Sequence, residues 1–438
     1  MISKLQRPSR ARGAIPGPAF IELFAGCGGL SLGLEAAGFR PLAVTEINKD
    51  ALATYVANRS GLLSGTGRLR CYGDTRELRS AARIGQLRRI WKKEGLRDID
   101  LLCGGPPCQG YSSRGRRRTQ RVQGAAVPSN YLYRDMADVI EVVRPRLFLF
   151  ENVYRLLHPE LTRGGASGEV GQDVLSTLCE IPGYVVAWDV LRACDYGVPQ
   201  LRRRVLAVGV RDDVAQDLGL LPGLAWSDPT GPTAKQLNLL PTKGTWARPP
   251  HIMEAIGDLM DPAYEPGAKR TAAYPHPART RFQKEMRPGK LAKKGAGLEE
   301  QEYSVHLPVT LARFQHMLEN GGEIPEHLRT RKFSLQLLPA RWPEGTPSIT
   351  ATSLPDDLVH YGQPRILTVR EWARLQTFPD TYVFHGNRVT GGDRRAGRPL
   401  DNIWERDLPK YTQIGNAVPV RMARAIGEHL KRLLLRLS

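Results

Sequence analysis

Phe20-Ile21-Glu22-Leu23-Phe24, then Ala25, then Gly26-Cys27-Gly28-Gly29 and the run Leu30 to Ala37 decide the fold, because they read in order as a buried strand, a glycine turn and a helix that stops at Gly38. Glycines let a ligand come close to the backbone, and the helix N-terminus that follows offers unpaired N–H groups to a polar or anionic group. A second apolar stretch, Pro41 to Val44, ends at Glu46, a carboxylate suited to both hydroxyls of a ribose. A glycine turn alone also serves as a plain tight turn; the acidic residue at the next strand end favours the ligand reading. The spacing is Gly-x-Gly-Gly rather than Gly-x-Gly-x-x-Gly, which argues against a nicotinamide or flavin enzyme.

A second strand-and-turn unit follows at Ile99. The mostly apolar run Ile99 to Cys103 leads into Gly104-Gly105-Pro106-Pro107-Cys108-Gln109-Gly110-Tyr111-Ser112. The glycines let the chain turn tightly, while Pro107 fixes its own φ and holds Pro106 extended, so the Cys108 thiol is presented rather than packed. A cysteine taken alone is more often a small buried hydrophobe; on this turn it reads as a nucleophile. Further on, the strand Arg146 to Phe150 runs into Glu151-Asn152-Val153, placing a carboxyl at a strand end where a parallel sheet faces its ligand crevice. In isolation Glu151 reads equally as a capping or surface carboxylate. Gln200-Leu201-Arg202-Arg203-Arg204 precedes a strand from Val205 to Val210.

These segments, in this order from about residue 20 to the C-terminus, resemble the signatures of DNA (cytosine-5)-methyltransferases. The likeness rests on the Pro-Cys loop at Cys108, Glu-Asn-Val at Glu151, Gln-x-Arg-x-Arg through Gln200, Arg202 and Arg204, and Gln413-Ile414-Gly415-Asn416-Ala417-Val418-Pro419 opening a helix to about Leu435. It implies an α/β fold: a doubly wound, Rossmann-like domain dependent on S-adenosyl-L-methionine, with a smaller inserted target-recognition domain. The cofactor residues it implies are Phe24, Gly26, Gly28, Gly29, Leu30, Glu46, Asp74, Pro106, Asn416 and Val418. Asp74 reads equally as a helix N-cap.

Cytosine C5 is a poor nucleophile, so methylating it requires prior attack at C6 and a proton at N3. The resemblance assigns the attack to Cys108 and the proton to Glu151, with Arg202 and Arg204 holding the flipped base and biasing the thiol toward thiolate. Gln109, Ser112, Gln200, Arg114, Arg116, Arg117 and Arg118 are the implied DNA contacts. Residues 114 to 121 carry five arginines. A charge run is usually a solvated face, but in the family this segment is the loop that closes over the extruded cytosine.

The chain has 438 residues, 41% of them hydrophobic, and a formal net charge of +19, which favours a polyanionic partner such as double-stranded DNA. No apolar run approaches the roughly 18 residues of a membrane span. A reducing, cytoplasmic setting is expected, since the six cysteines show neither disulfide nor zinc spacing and no metal site is suggested, and a stand-alone prokaryotic modification enzyme is expected because no separate helix-turn-helix or chromatin-reading segment is read. The expected organisation is a basic tail at 1–19, a catalytic and cofactor domain at 20–210, a recognition region within 211–364, and a scaffold segment with a returning helix at 365–438. The recognition region is neutral overall, yet residues 266 to 294 hold nine basic side chains and one acidic; it lacks long helical periodicity. Thr368 and Glu371 read as a capping box for a helix that ends before Pro379. A monomer is expected, with a restriction endonuclease acting on the same site as its functional partner. The alternatives are a tRNA cytosine-5 methyltransferase, against which stands the absence of a late Cys-Phe-Thr signature, and a non-catalytic DNA-binding protein of the same fold.

Overall fold

The computed structural model describes residues 17–65, 67–107, 131–157, 169–221, 231–243, 248–329, 335–341, 348–349, 357–390 and 407–436. Strand β1 (Ala19–Leu23) is buried along its whole length, and its alternation sends Phe20 into one core and Ile21 and Leu23 into another. That is the pattern of a strand covered by helices on both faces. The turn after it opens helix α1 (Gly29–Ala36), followed by β2 (Arg40–Thr45), helix α2 (Lys49–Ala57) and β3 (Arg70–Tyr72). The remaining strands are β4 (Leu101–Gly104), β5 (Leu147–Val153), β6 (Tyr184–Arg192) and β7 (Arg203–Arg211).

Together they form one seven-stranded sheet in the order β3-β2-β1-β4-β5-β7-β6. Strands β1 to β5 are parallel, whereas β7 runs antiparallel between β5 and β6. The chain order reverses between β1 and β4, which opens a crevice at the carboxyl ends of those two strands. The glycine turn and the Gly104–Pro107 turn are the two loops that leave the sheet there. The doubly wound α/β expectation therefore holds, with one antiparallel strand that periodicity does not show.

Helix Val420–Leu435 closes the sheet by packing along α1. It buries Met422, Ile426, Leu430 and Leu433 in the core shared with Phe20 and Leu34, each contributing about 1.5–3 kcal/mol. The close approach depends on glycine: a Cβ at Gly33 would meet Ala423 and the Val420 carbonyl, and one at Gly427 would lie 2.8 Å from Ala37. The expected helix from Gln413 is instead two, Lys410–Asn416 and Val420–Leu435, parted at Pro419, whose ring cannot continue a helix.

A third core joins residues from 252–349 to residues from 358–420, including Ile252, Phe282, Trp372 and Tyr411. Buried ion pairs bind it together. Arg374 meets Asp258 at 3.0 Å and Asp380 at 2.6 Å, Arg287 meets Asp258 at 2.8 Å, and Arg365 meets Glu371 at 2.7 Å. Thr368 and Glu371 form the expected capping box of helix Val369–Leu375. The region read as lacking long helical periodicity contains the 12-residue helix Pro308–Glu319. Among the described residues no helix is long and apolar enough to cross a membrane, no group of three or more potential ligands could hold a metal, and Cys27, Cys71, Cys103 and Cys194 form no disulfide.

Candidate active site

The turn after β1 is held on every side. Phe24, Gly26 and Gly28 have φ of 55°, 56° and 85°, so the chain passes through the left-handed region three times in five residues. Backbone N–H groups of Phe24 and Ala25 donate to the Thr45 side chain and carbonyl, and the Gly26 N–H donates to Glu46 Oε2 at 2.8 Å. From behind, the Tyr382 hydroxyl donates to the Cys27 carbonyl at 2.5 Å and Arg59 to the Gly28 carbonyl at 3.2 Å. Arg59 is itself buried and paired with Glu35 at 2.6 Å.

The glycines of this turn do different jobs. A Cβ at Gly28 would lie 2.8 Å from Arg59 and Tyr55, and one at Gly29 would lie 2.6 Å from the Val418 carbonyl; both positions make room for the protein itself. Only Gly26 faces open space, with nothing within 4 Å of a Cβ added there. It is the cradle where a ligand can approach the backbone. Leu30 and Val418 are buried in the core, so each can offer a ligand little beyond its backbone, whereas Asn416 is exposed.

Glu46 follows β2 at the rim of that open space. Burial pushes its carboxyl up, against the backbone N–H groups of Asn48 and Gly26 that hold its two oxygens. Those two bonds fix its orientation and leave the remaining lone pairs for hydroxyl donors. Ile47, beside it, is a large apolar side chain left 75% exposed. Asp74 follows β3 and does act as a cap: it forms the capping box of the short helix Thr75–Arg79 and pairs with Arg76 at 2.8 Å.

Across the crevice, the turn after β4 approaches β5. Glu151 lies within β5 rather than after it, because β7 pairs alongside as far as Val153 opposite Arg204. The diagonal across this antiparallel pair brings Arg204 Nε within 2.7 Å of Glu151 Oε1. The contact is ionic, and neither atom has an aligned hydrogen-bond partner. Gly105 is required there: a Cβ on it would lie 2.7 Å from Glu151 Oε2. Asn152 ties the same turn down by donating to the Pro106 carbonyl at 3.1 Å. The Arg204 guanidinium is buried, which lowers its pKa in spite of Glu151.

Two members of the arginine motif are engaged by other partners. Gln200, expected at the DNA, is wholly buried; it donates to the Leu375 carbonyl and to Gln376 and accepts from the Ile349 N–H. Its side chain is occupied inside the protein, which corrects that expectation. Arg202, expected at the base, donates to the carbonyls of Gly415, Asn416, Ala417 and Ile349. Cys108, Gln109, Ser112, Arg114, Arg116, Arg117, Arg118 and most of the basic N-terminal tail lie outside the described residues.

Sequence reasoning missed Arg59, Tyr55, Tyr382 and the Glu22–Ser31 pair beneath the glycine turn. Glu22 accepts from the Ser31 hydroxyl, which also meets Tyr55 at 2.7 Å. Nothing in the local pattern marks Arg59 or Tyr382, which meet only in the fold, 323 residues apart in sequence.

A model of the family described as C-5 cytosine-specific DNA methylase matches residues 19–432. Among curated proteins, the chain is 28% identical over 430 residues to the type II methyltransferase M.DdeI of Desulfomicrobium norvegicum, covering 94% of this chain and 88% of that one. It is 29% identical over 468 residues to the type II methyltransferase M.AgeI of Thalassovita gelatinovora, covering 94% and 98%. A crystal structure described as that of a prophage-encoded DNA modification methyltransferase from E. coli superposes with a TM-score of 0.62 at 21% identity, over 96% of this chain and 100% of that one, a likeness of fold.

Proposed function

The chain belongs to the C-5 cytosine-specific DNA methylase family and is a DNA (cytosine-5)-methyltransferase, and we propose that S-adenosyl-L-methionine is its methyl donor and that Cys108, Glu151 and Arg204 divide the work at the base. The open cradle at Gly26 beside a half-buried, oriented carboxylate at Glu46 fits an adenosyl group: Glu46 would take the ribose hydroxyls, and the apolar face of Ile47 would pack on the purine. Asp74 and Asn416 would complete the rim. When bound, the donor supplies an electrophilic methyl on a sulfonium.

The protein's own residues prepare the cytosine. The Cys108 thiolate bonds to C6, the ring electrons shift toward N3, and Glu151, in its protonated form when the base is bound, delivers a proton there, so that charge does not accumulate and C5 becomes nucleophilic. Arg204 holds the Glu151 carboxyl at the crevice. After methylation, a solvent base takes the C5 proton, the C5–C6 double bond re-forms as the Cys108 thiolate leaves C6, and the N3 proton returns to Glu151, which restores both the ring and the enzyme. The observation that carries this reading is the Glu151–Arg204 pair set against Gly105 in the turn that leads to Cys108. Glu151→Gln keeps the shape but cannot deliver the proton, so single-turnover methylation is expected to fall by about 10²–10⁴; an unchanged rate would remove Glu151 from the chemistry.

The extruded base implies duplex DNA seated between the sheet's crevice and the lobe built on the third core. The type II methyltransferase relatives support a role in protecting DNA against a restriction endonuclease that cuts the same sequence. A monomer acting in the prokaryotic cytoplasm fits that role.

A further inference from the structure

Arg202 and Arg204 belong to one short motif, yet the fold points them at different tasks. Arg202 is 3% exposed, and its guanidinium is held by backbone carbonyls. It donates through Nη2 to the carbonyls of Gly415 at 2.7 Å, Ala417 at 2.9 Å and Asn416 at 3.3 Å, and through Nη1 to Ile349 at 3.2 Å. The first three are the last carbonyls of helix Lys410–Asn416 and its exit, acceptors that a helix leaves without partners and where the dipole favours a cation. Gln376 completes the cage by donating to the carbonyls of Ile414 at 2.8 Å and Ala417 at 2.9 Å, and is itself held by Gln200 at 3.0 Å. The caged segment leads directly onto the glycine turn, where the Ala417 side chain and the Val418 carbonyl press against Gly29.

We propose that Arg202 is a positioning residue for the methyl-donor pocket and does not touch the target base: it holds the exit of helix Lys410–Asn416 against the glycine turn, leaving Arg204 alone to serve the base. This rests on the reading that S-adenosylmethionine occupies that turn. The consequence is a division of phenotype within one motif, since a residue that shapes the donor pocket matters even when no DNA is present.

The test is calorimetric titration of S-adenosylmethionine and S-adenosylhomocysteine into DNA-free full-length protein, with steady-state kinetics alongside. Arg202→Lys keeps the charge but loses the fork, and is expected to weaken both ligands by about tenfold or more and to raise the donor KM, with kcat largely retained at saturating donor. Arg204→Lys is expected to do the reverse, leaving DNA-free affinity unchanged while kcat falls. Wild-type donor affinity in Arg202→Lys, with turnover lost at saturating donor, would overturn the proposal and return Arg202 to the base. Should Arg202→Lys fail to give a native circular dichroism spectrum, Gln376→Leu, which removes the bonds to the Ile414 and Ala417 carbonyls of the same cage, decides: weakened donor binding upholds the cage and unchanged binding overturns it. Absence of binding by the wild type would instead refute the donor assignment.

Discussion

Glu22 is a carboxyl with almost no access to water, and burial raises it from its ordinary 4.5 to about 8, against the Ser31 hydroxyl and the Arg59 charge that pull it down. The folded protein thus keeps a proton that the unfolded chain releases above about 4.5, so this residue's contribution to stability is full below that pH and is lost as pH rises through about 8. Glu22→Gln preserves the shape and a partner for Ser31, and is expected to make the decline of urea midpoints across that window shallower; an equally steep decline would show that another group titrates. Glu371 behaves oppositely. Burial, the largest single effect, would raise it, but the charge and hydrogen bonds of Arg365 together with His360 and the Thr368 N–H outweigh it and hold it at about 2, so its contribution is present above about 4.5 and lost on acidification through about 2. Glu46 and Glu151 were legible in the sequence because each follows an apolar run next to a turn motif. Glu22 was not, since a glutamate inside an alternating strand carries no sign of which partners its face will meet.

Elements are legible in the sequence where their chemistry is local. The Thr368–Glu371 capping box is such a case, because both halves of the interaction lie within one helical turn. Strand direction is a non-local property, and β7 shows the cost: its apolar run announces a strand, but only pairing with β5 and β6 makes it antiparallel and carries Glu151 inside β5 rather than beyond it. Gly209 on that strand makes room for a neighbour. A Cβ there would enter the ring of Phe148 across the β5–β7 pair. Gly209→Ala is therefore expected to destabilise the protein by about 1–3 kcal/mol or more in denaturant unfolding, through overpacking rather than backbone strain. A stability equal to wild type would mean that the sheet can part without penalty. The loss should exceed that of Gly26→Ala, where a Cβ meets open space and the cost is backbone strain from a positive φ, of order 1–2 kcal/mol.

For the molecule as a whole, the reversal of strand order between β1 and β4 brings two turns some 80 residues apart in sequence to one crevice, where the proposed reading seats donor and base together. The net charge of +19 belongs to this scale as well. Neutralising Arg116, Arg117 and Arg118 together is expected to reduce the salt slope of DNA binding by up to about 2.7, roughly 0.9 for each phosphate no longer paired with an arginine; an unchanged slope would make that run a solvated face. The fold and the crevice were legible because their motifs are short and keep their order along the chain, whereas the partners of Gln200 and Arg202 were hidden because they come from segments about 150 to 215 residues away. The most direct measurement is bisulfite sequencing of plasmid DNA from a methylation-free host expressing this chain, with Cys108→Ala in parallel. Protection of one cytosine in a fixed short sequence, absent in the variant, is the expected result; protection that persists in Cys108→Ala would contradict the covalent mechanism outright.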